Sequence, residues 1–168
     1  MDDGSELFDV VDEKDQVIGQ ATRREVHQKR LRHRSVHILV FNSHGDLFLQ
    51  KRAASKDENP GFWDTSAAGH LNSGENYREC AEREMHEELG IRASLEFLFK
   101  IDSCPETFWE HIEVFRCVTD SPITLNPLEI DDGQFFSLQR IQDIIKDHSL
   151  PLTSSFQWII KKYLNLND

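Results

Sequence analysis

Glu84, Glu87 and Glu88 stand at positions i, i+3 and i+4 of the segment Arg83 to Leu89, a spacing that puts three carboxylates on one face of a helix. Like charges at i, i+4 cost an isolated helix roughly 0.2–0.5 kcal/mol per pair. A helix that keeps them, with Glu75 and Glu79 upstream, invites a reason beyond solubility, and the chemistry on offer is the binding of a hard cation. Oxygen-only ligands from carboxylates and a loop carbonyl suit Mg2+, with Mn2+ as the alternative, whereas zinc would ask for His or Cys in the cluster. A carboxylate beside such a cation can orient and deprotonate a water, so the implied reaction is hydrolysis at phosphorus. The competing reading of the same residues is a solvated acidic face.

Two basic groups supply what an anionic substrate would need. Lys51, Arg52 and Lys56 lie in the polar stretch 51–61, either as an exposed basic loop or as a clamp on phosphate oxygens. Arg83 immediately precedes Glu84, so its guanidinium is expected to fold back and orient a carboxylate. The run from Arg23 to Arg34 is strongly basic and reads either as a solvated face or as a phosphate-facing patch.

The elements that must position these groups follow from periodicity and punctuation. A helix over Tyr77 to Leu89 is predicted, with Asn76 as N-cap, Glu79 completing a capping box, Ala81, Met85 and Leu89 as the apolar stripe, and Gly90 as the stop. A loop opened by Gly69 and Gly74 precedes it. Upstream, 7–11 and 17–21 read as short strands around a polar turn, and Thr22 can cap a short helix over Arg23 to Lys29. Val36 to Phe41 and Leu47 to Leu49 read as a buried hairpin with Gly45 at positive φ, and Phe62 to Ser66 as a further strand. Downstream, Leu95 to Ile101, Trp109 to Val118 and a short Gln134 to Phe136 are expected as strands, with apolar helical faces around Ile141 and around Phe156.

Composition sets the outer bounds. A chain of 168 residues with 11 Phe and 3 Trp is expected to form one domain over residues 1–168 and to bury its own core. The net charge of −11 argues against binding nucleic acid by bulk electrostatics, and no apolar run suggests a membrane span. The acidic start, Met1 to Glu6, is unlike a signal peptide, so a cytoplasmic protein is expected. Cys80, Cys104 and Cys117 lack C-x-x-C spacing and are expected as thiols.

Taken together, Gly69, five residues, Glu75, seven residues and then Arg83 to Ile91 resemble the Nudix box with each fixed position filled. The resemblance implies an α/β fold, an α-β-α sandwich around a mixed β-sheet, and cleavage of a nucleoside diphosphate linked to another moiety. It implies that Glu84, Glu87 and Glu88 hold Mg2+ with the carbonyl of Gly69, that Glu84 is the base, and that Arg83 and Glu88 belong to the catalytic set. The flanking residues, Leu49 to Ala53, Ser55-Lys56, Pro60-Gly61, Trp63 and His70, resemble the branch containing isopentenyl-diphosphate isomerase. In that branch the positions of Arg52 and Lys56 grip a diphosphate. The isomerase carries a cysteine directly before this glycine, where this chain has Ala68, and a degenerate box where this one is intact, which points to a hydrolase. His33 and His70 fall on isomerase metal positions and His27 one residue off a third, so with Glu110 or Glu113 they form either a second metal site or an unliganded set. Glu110 also lies where many Nudix hydrolases keep an extra metal ligand or base. Trp63 and Trp109 are candidates to stack on a base, the alternative being core positions. The expected partner is a small phosphorylated molecule, and the family makes a homodimer the expected assembly.

Overall fold

A computed structural model describes residues 3–166. The chain begins with an antiparallel ribbon, β1 (Leu7–Val11) and β2 (Val17–Thr22), and passes into α1 (Arg23–Lys29) through a capping box in which Thr22 and Glu25 satisfy each other's backbone amides. Next come β3 (His33–Phe41), β4 (Leu47–Arg52), β5 (Trp63–Asp64) and β6 (Ala67–His70), then α2 (Tyr77–Leu89). The remainder is β7 (Glu96–Ile101), a 3-10 turn at Pro105–Thr107, β8 (Glu110–Val118), β9 (Ile130–Phe136), α3 (Leu138–Asp147) and α4 (Ser154–Leu166).

The helix that carries the carboxylates has the predicted bounds. Asn76 accepts from the amide of Glu79, whose side chain accepts in turn from the amide of Asn76, and Gly90 ends the helix at φ +68°. Its buried stripe of Ala81, Met85 and Leu89 packs with Val36, Ile38 and Val40 of β3. The alternate β3 residues Leu39 and Phe41 face the opposite cluster, with Ile141 of α3 and Phe156, Ile159 and Ile160 of α4. Sheet between helical layers is the sandwich expected, and the sheet is mixed: β8 runs parallel to β3, while β6 pairs β3 antiparallel and β9 pairs β4 antiparallel.

Three expectations about the strands need correcting. The hairpin of β3 and β4 exists only at its tip, where Phe41 pairs with Leu47 and Gly45 turns the chain at φ +80°. Beyond the tip the two strands part because β6 inserts against β3, and Ser66 bridges the gap: its hydroxyl donates to the carbonyl of Phe48 and accepts from the amide of Val40 at 2.8 Å. The predicted strand 62–66 is accordingly broken, its first part pairing β4 and its continuation, β6, pairing β3. The last strand begins at Ile130 rather than Gln134, since Arg52 to Leu47 of β4 offer it a full-length partner.

Candidate active site

The α2 register that buries Met85 and Leu89 leaves Glu84 and Glu88 facing the start of β6. Gly69 comes so close that a Cβ built on it would lie 2.2 Å from Cδ of Glu84, so only glycine permits the approach of that backbone to that carboxylate. Glu88 is 7% exposed, and Gln50 of β4 donates to its Oε2 at 2.7 Å. Arg83 folds back as expected and binds more than one acid. Its Nε and Nη2 take both oxygens of Glu75 at 2.7 and 2.9 Å, Nη1 reaches Glu84 at 2.7 Å and Glu87 at 3.2 Å, and Nη2 also donates to the carbonyl of His70.

One guanidinium does not neutralise this cluster. Burial raises the Glu84 carboxyl to about 7 against the opposing pull of Arg83, and Glu87 and Glu129 add to the rise. Burial and then Glu84 push Glu88 well above the usual carboxylate range, with Gln50 and Lys56 acting the other way. Excess negative charge held in a pocket is what a hard divalent cation compensates, so the carboxylate set fits Mg2+ or Mn2+.

Arg52 and Lys56 line the same cleft of about 300 Å³ as Gly69, Glu84, Glu87 and Glu88. Arg52 is aimed by a hydrogen bond from its Nε to the carbonyl of Glu58 at 3.0 Å and by Asp64 at 3.6 Å, while Lys56 pairs with Glu129. Glu129 is an acid that reasoning from the sequence missed. It stands in the turn just before β9, where the amide of Ala53 bonds the Glu129 carbonyl at 3.0 Å, and no local motif marks it. The basic run before β3 disperses. Arg34 is held by Asp15, Arg32 lies over the ring of Trp109, and Arg23 lines the cleft.

A second constellation occupies the same cleft's flank. His27 on α1, His33 at the start of β3 and His70 at the end of β6 bring ligand nitrogens within 4.8 Å of one another. Glu110, the first residue of β8, accepts from His70 at 2.8 Å and from the hydroxyl of Ser35 at 2.7 Å. The parallel register that sets His33 opposite Glu110, and the antiparallel one that sets Ser35 opposite His70, assemble it. His33 Nδ1 donates to the carbonyl of Leu31 at 2.9 Å, which aims Nε2 at the cluster, 3.5 Å from Oε1 of Glu110. Nε2 of His27 and of His33 are buried without a hydrogen-bond partner. Burial, then His70 and His33, lower His27 to about 4, so its ring is neutral and available as a ligand. Burial would raise Glu110, but the neighbouring histidines outweigh it and hold the carboxyl well below its ordinary value. The set fits a borderline metal such as zinc or iron better than Mg2+.

The structure thus separates residues grouped by sequence. Glu110 joins the histidines rather than the α2 acids. Glu113, three residues further along the strand, lies in a groove with Arg78, Phe97 and Phe115, outside the histidine set. Trp63 is 6% exposed and packs edge-on against Phe136 in the core, away from the cleft lining.

A NUDIX domain model matches residues 31–156. The chain belongs to the Nudix family. An uncharacterized Nudix hydrolase of Yersinia pestis is 41% identical over 132 residues, covering 76% of this chain and 70% of that protein. Isopentenyl-diphosphate Delta-isomerase 2 of Photorhabdus laumondii is 32% identical over 162 residues, covering 92% and 90%. A crystal structure of a Deinococcus radiodurans protein superposes with a TM-score of 0.83 at 27% identity, covering 94% of this Nudix chain and 98% of the other. The relatives therefore include a protein named for the isomerase as well as Nudix hydrolases.

Proposed function

We propose that this protein is a Mg2+-dependent cytoplasmic hydrolase that cleaves the diphosphate linkage of a nucleoside diphosphate-type substrate. The observation that carries the reading is the pair Glu84, closed against Gly69, and Glu88, buried beside Gln50, with more negative charge than Arg83 offsets, in the cleft that also holds Arg52 and Lys56. Bound there, Mg2+ would compensate the acids and draw charge from the phosphoryl oxygens. Arg52 and Lys56 hold the diphosphate. Glu84, with a carboxyl near neutrality, takes a proton from the attacking water as its oxygen bonds to phosphorus and the bridging P–O bond breaks. Arg83 fixes the rotamer of Glu84 through the 2.7 Å hydrogen bond.

With Mg2+ and a panel of nucleoside di- and triphosphates, nucleotide sugars and dinucleoside polyphosphates, release of phosphate or nucleoside monophosphate is expected. Glu88→Gln keeps size and the Gln50 contact and should lower turnover by about 100-fold or more, since even residues behind metal ligands are worth about 10–100-fold. Full activity in that variant would falsify the assignment.

The histidine cluster favours a second reading, in which His27, His33, His70 and Glu110 hold a transition metal. Even so, allylic isomerisation is not the activity we infer, because Ala68 offers no group to move a proton at the position where the resembling isomerase has its cysteine.

A further inference from the structure

We propose that Phe108 is the platform on which the substrate's base stacks, a specificity residue that rests on the nucleotide reading above. Among the described residues lining the cleft, Phe108 is the one large apolar side chain; its neighbours there are charged or polar apart from Ala68 and Gly69. The ring is 49% exposed.

The exposure is built in rather than slack. Phe108 and Trp109 both adopt left-handed backbone, at φ +55° and +63°, a conformation that bulky residues take only when their surroundings impose it. Here the 3-10 turn imposes it: the amide of Phe108 bonds the carbonyl of Pro105 at 3.1 Å and that of Trp109 bonds the carbonyl of Cys104 at 2.9 Å. Thr107, itself 2% exposed, ties its hydroxyl to both backbone groups of Cys104, and the Trp109 carbonyl accepts from the amide of His33. Two successive kinks place Phe108 on the cleft and turn Trp109 under Arg32, 5.3 Å from ring centroid to guanidinium carbon. Of the aromatic candidates, Trp63 is in the core and Trp109, half-buried beneath Arg32, is outside the cleft lining, which leaves Phe108.

A single flat apolar face in a polar cleft suits a planar partner with polar edges. An isoprenoid tail would need apolar walls around it, whereas a base needs one face, and the amides of Asn59, Asn72 and Asn126 stand in the same lining to meet its edges.

The test is calorimetric titration, with Mg2+ present, of α,β-methylene nucleoside diphosphates and of methylenediphosphonate, which keeps the phosphonates and lacks the base. Base stacking on an aromatic ring is worth about 5- to 150-fold in affinity. Phe108→Ala should weaken the nucleotide analogues by that order and leave methylenediphosphonate within about 2-fold, and Phe108→Trp should restore nucleotide binding. Equal loss for both ligands, wild-type nucleotide affinity in Phe108→Ala, or no base-dependent affinity in the wild type overturns the proposal. The ligands cannot be cleaved at the diphosphate, so the outcome is independent of turnover. Base-dependent binding without hydrolysis of the natural diphosphates sinks the hydrolase reading and leaves the platform standing.

Discussion

Replacing Glu84 by Gln should stabilise the metal-free protein increasingly as the pH rises, while removing its activity. The folded carboxyl of Glu84 titrates near 7 because it is buried beside other acids, whereas an unfolded glutamate titrates at 4.5. Between those values the folded chain holds a proton that the unfolded chain has released. The stability associated with that proton is complete below pH 4.5 and is lost as the pH climbs through 7. A separation of about 2.5 at 1.36 kcal/mol per pH unit sets a ceiling of about 3 kcal/mol. Coupling to Glu88 shares that penalty, so about 1–3 kcal/mol is expected, or roughly 3–10 °C in a domain of this size. The wild-type profile alone cannot display this, because His27 and His37 work against it. Both are held neutral by burial, His27 with a value near 4, so they add stability as the pH rises toward 6.5. Those groups are common to both proteins and cancel in the difference. The variant also weakens the 2.7 Å Arg83 bond, whose acceptor becomes a neutral amide oxygen, an offset that should leave it level with or below the wild type at pH 5. The assay is thermal unfolding of both proteins in EDTA from pH 5 to 8. A difference in midpoint that stays flat or falls with pH would refute the claim that Glu84 is held in the fold as an uncompensated acid. Addition of Mg2+ at pH 7.5 should raise the wild-type midpoint by mass action and raise that of the variant less.

Two further outcomes follow from the cleft. Gly69→Ala should cost about 1–3 kcal/mol of stability and most of the activity, because its Cβ would sit 2.2 Å from Glu84 Cδ; circular dichroism melts and turnover check it, and an active, equally stable variant would mean that β6 gives way at no cost. Metal analysis after dialysis against Zn2+ or Mn2+ should find an ion retained by the wild type, held roughly 10-fold or more weakly in His33→Ala with the acids of α2 untouched, and no difference between the two proteins would mean that the histidines are structural.

Helix α2 was legible because everything that defines it is local: a cap and its reciprocal partner three residues apart, an apolar stripe every four, and a glycine at the end. Arg83 was legible for the same reason, being tethered to acids within the same turn or the preceding loop. What escaped the sequence depends on strand register. Glu129 stands in the turn just before β9 and reaches the cleft only because β9 pairs β4 in this register, whereas Glu110 is offered by the sequence and needs the register of β8 on β3 only to be set beside His33. His27 looked one position out of register in a linear comparison. It meets His33 and His70 regardless, because α1 ends in a left-handed turn at Arg30 and its last turn lies over the ends of β3 and β6. Trp63 misled through residue type: an aromatic beside a basic loop resembles a stacking platform, yet its short strand pairs with β4 and sends the ring to the α4 side.

The two donor sets share one short strand, and that has a chemical consequence. In β6, Gly69 brings its backbone against Glu84, and the very next residue, His70, sends its ring to Glu110 and its carbonyl to Arg83. Arg83 in turn binds Glu75, Glu84 and Glu87. One residue of β6 therefore touches Glu110 through its ring and, through one hydrogen bond from its carbonyl, the guanidinium that orients the acids. The histidine set and the α2 acids are thus joined by direct contacts through His70 and Arg83 in one cleft. The sheet sets this juxtaposition: β6 pairs β3 from Ser35–His70 to Ile38–Ala67, which fixes Gly69 and His70 as consecutive residues of one paired strand.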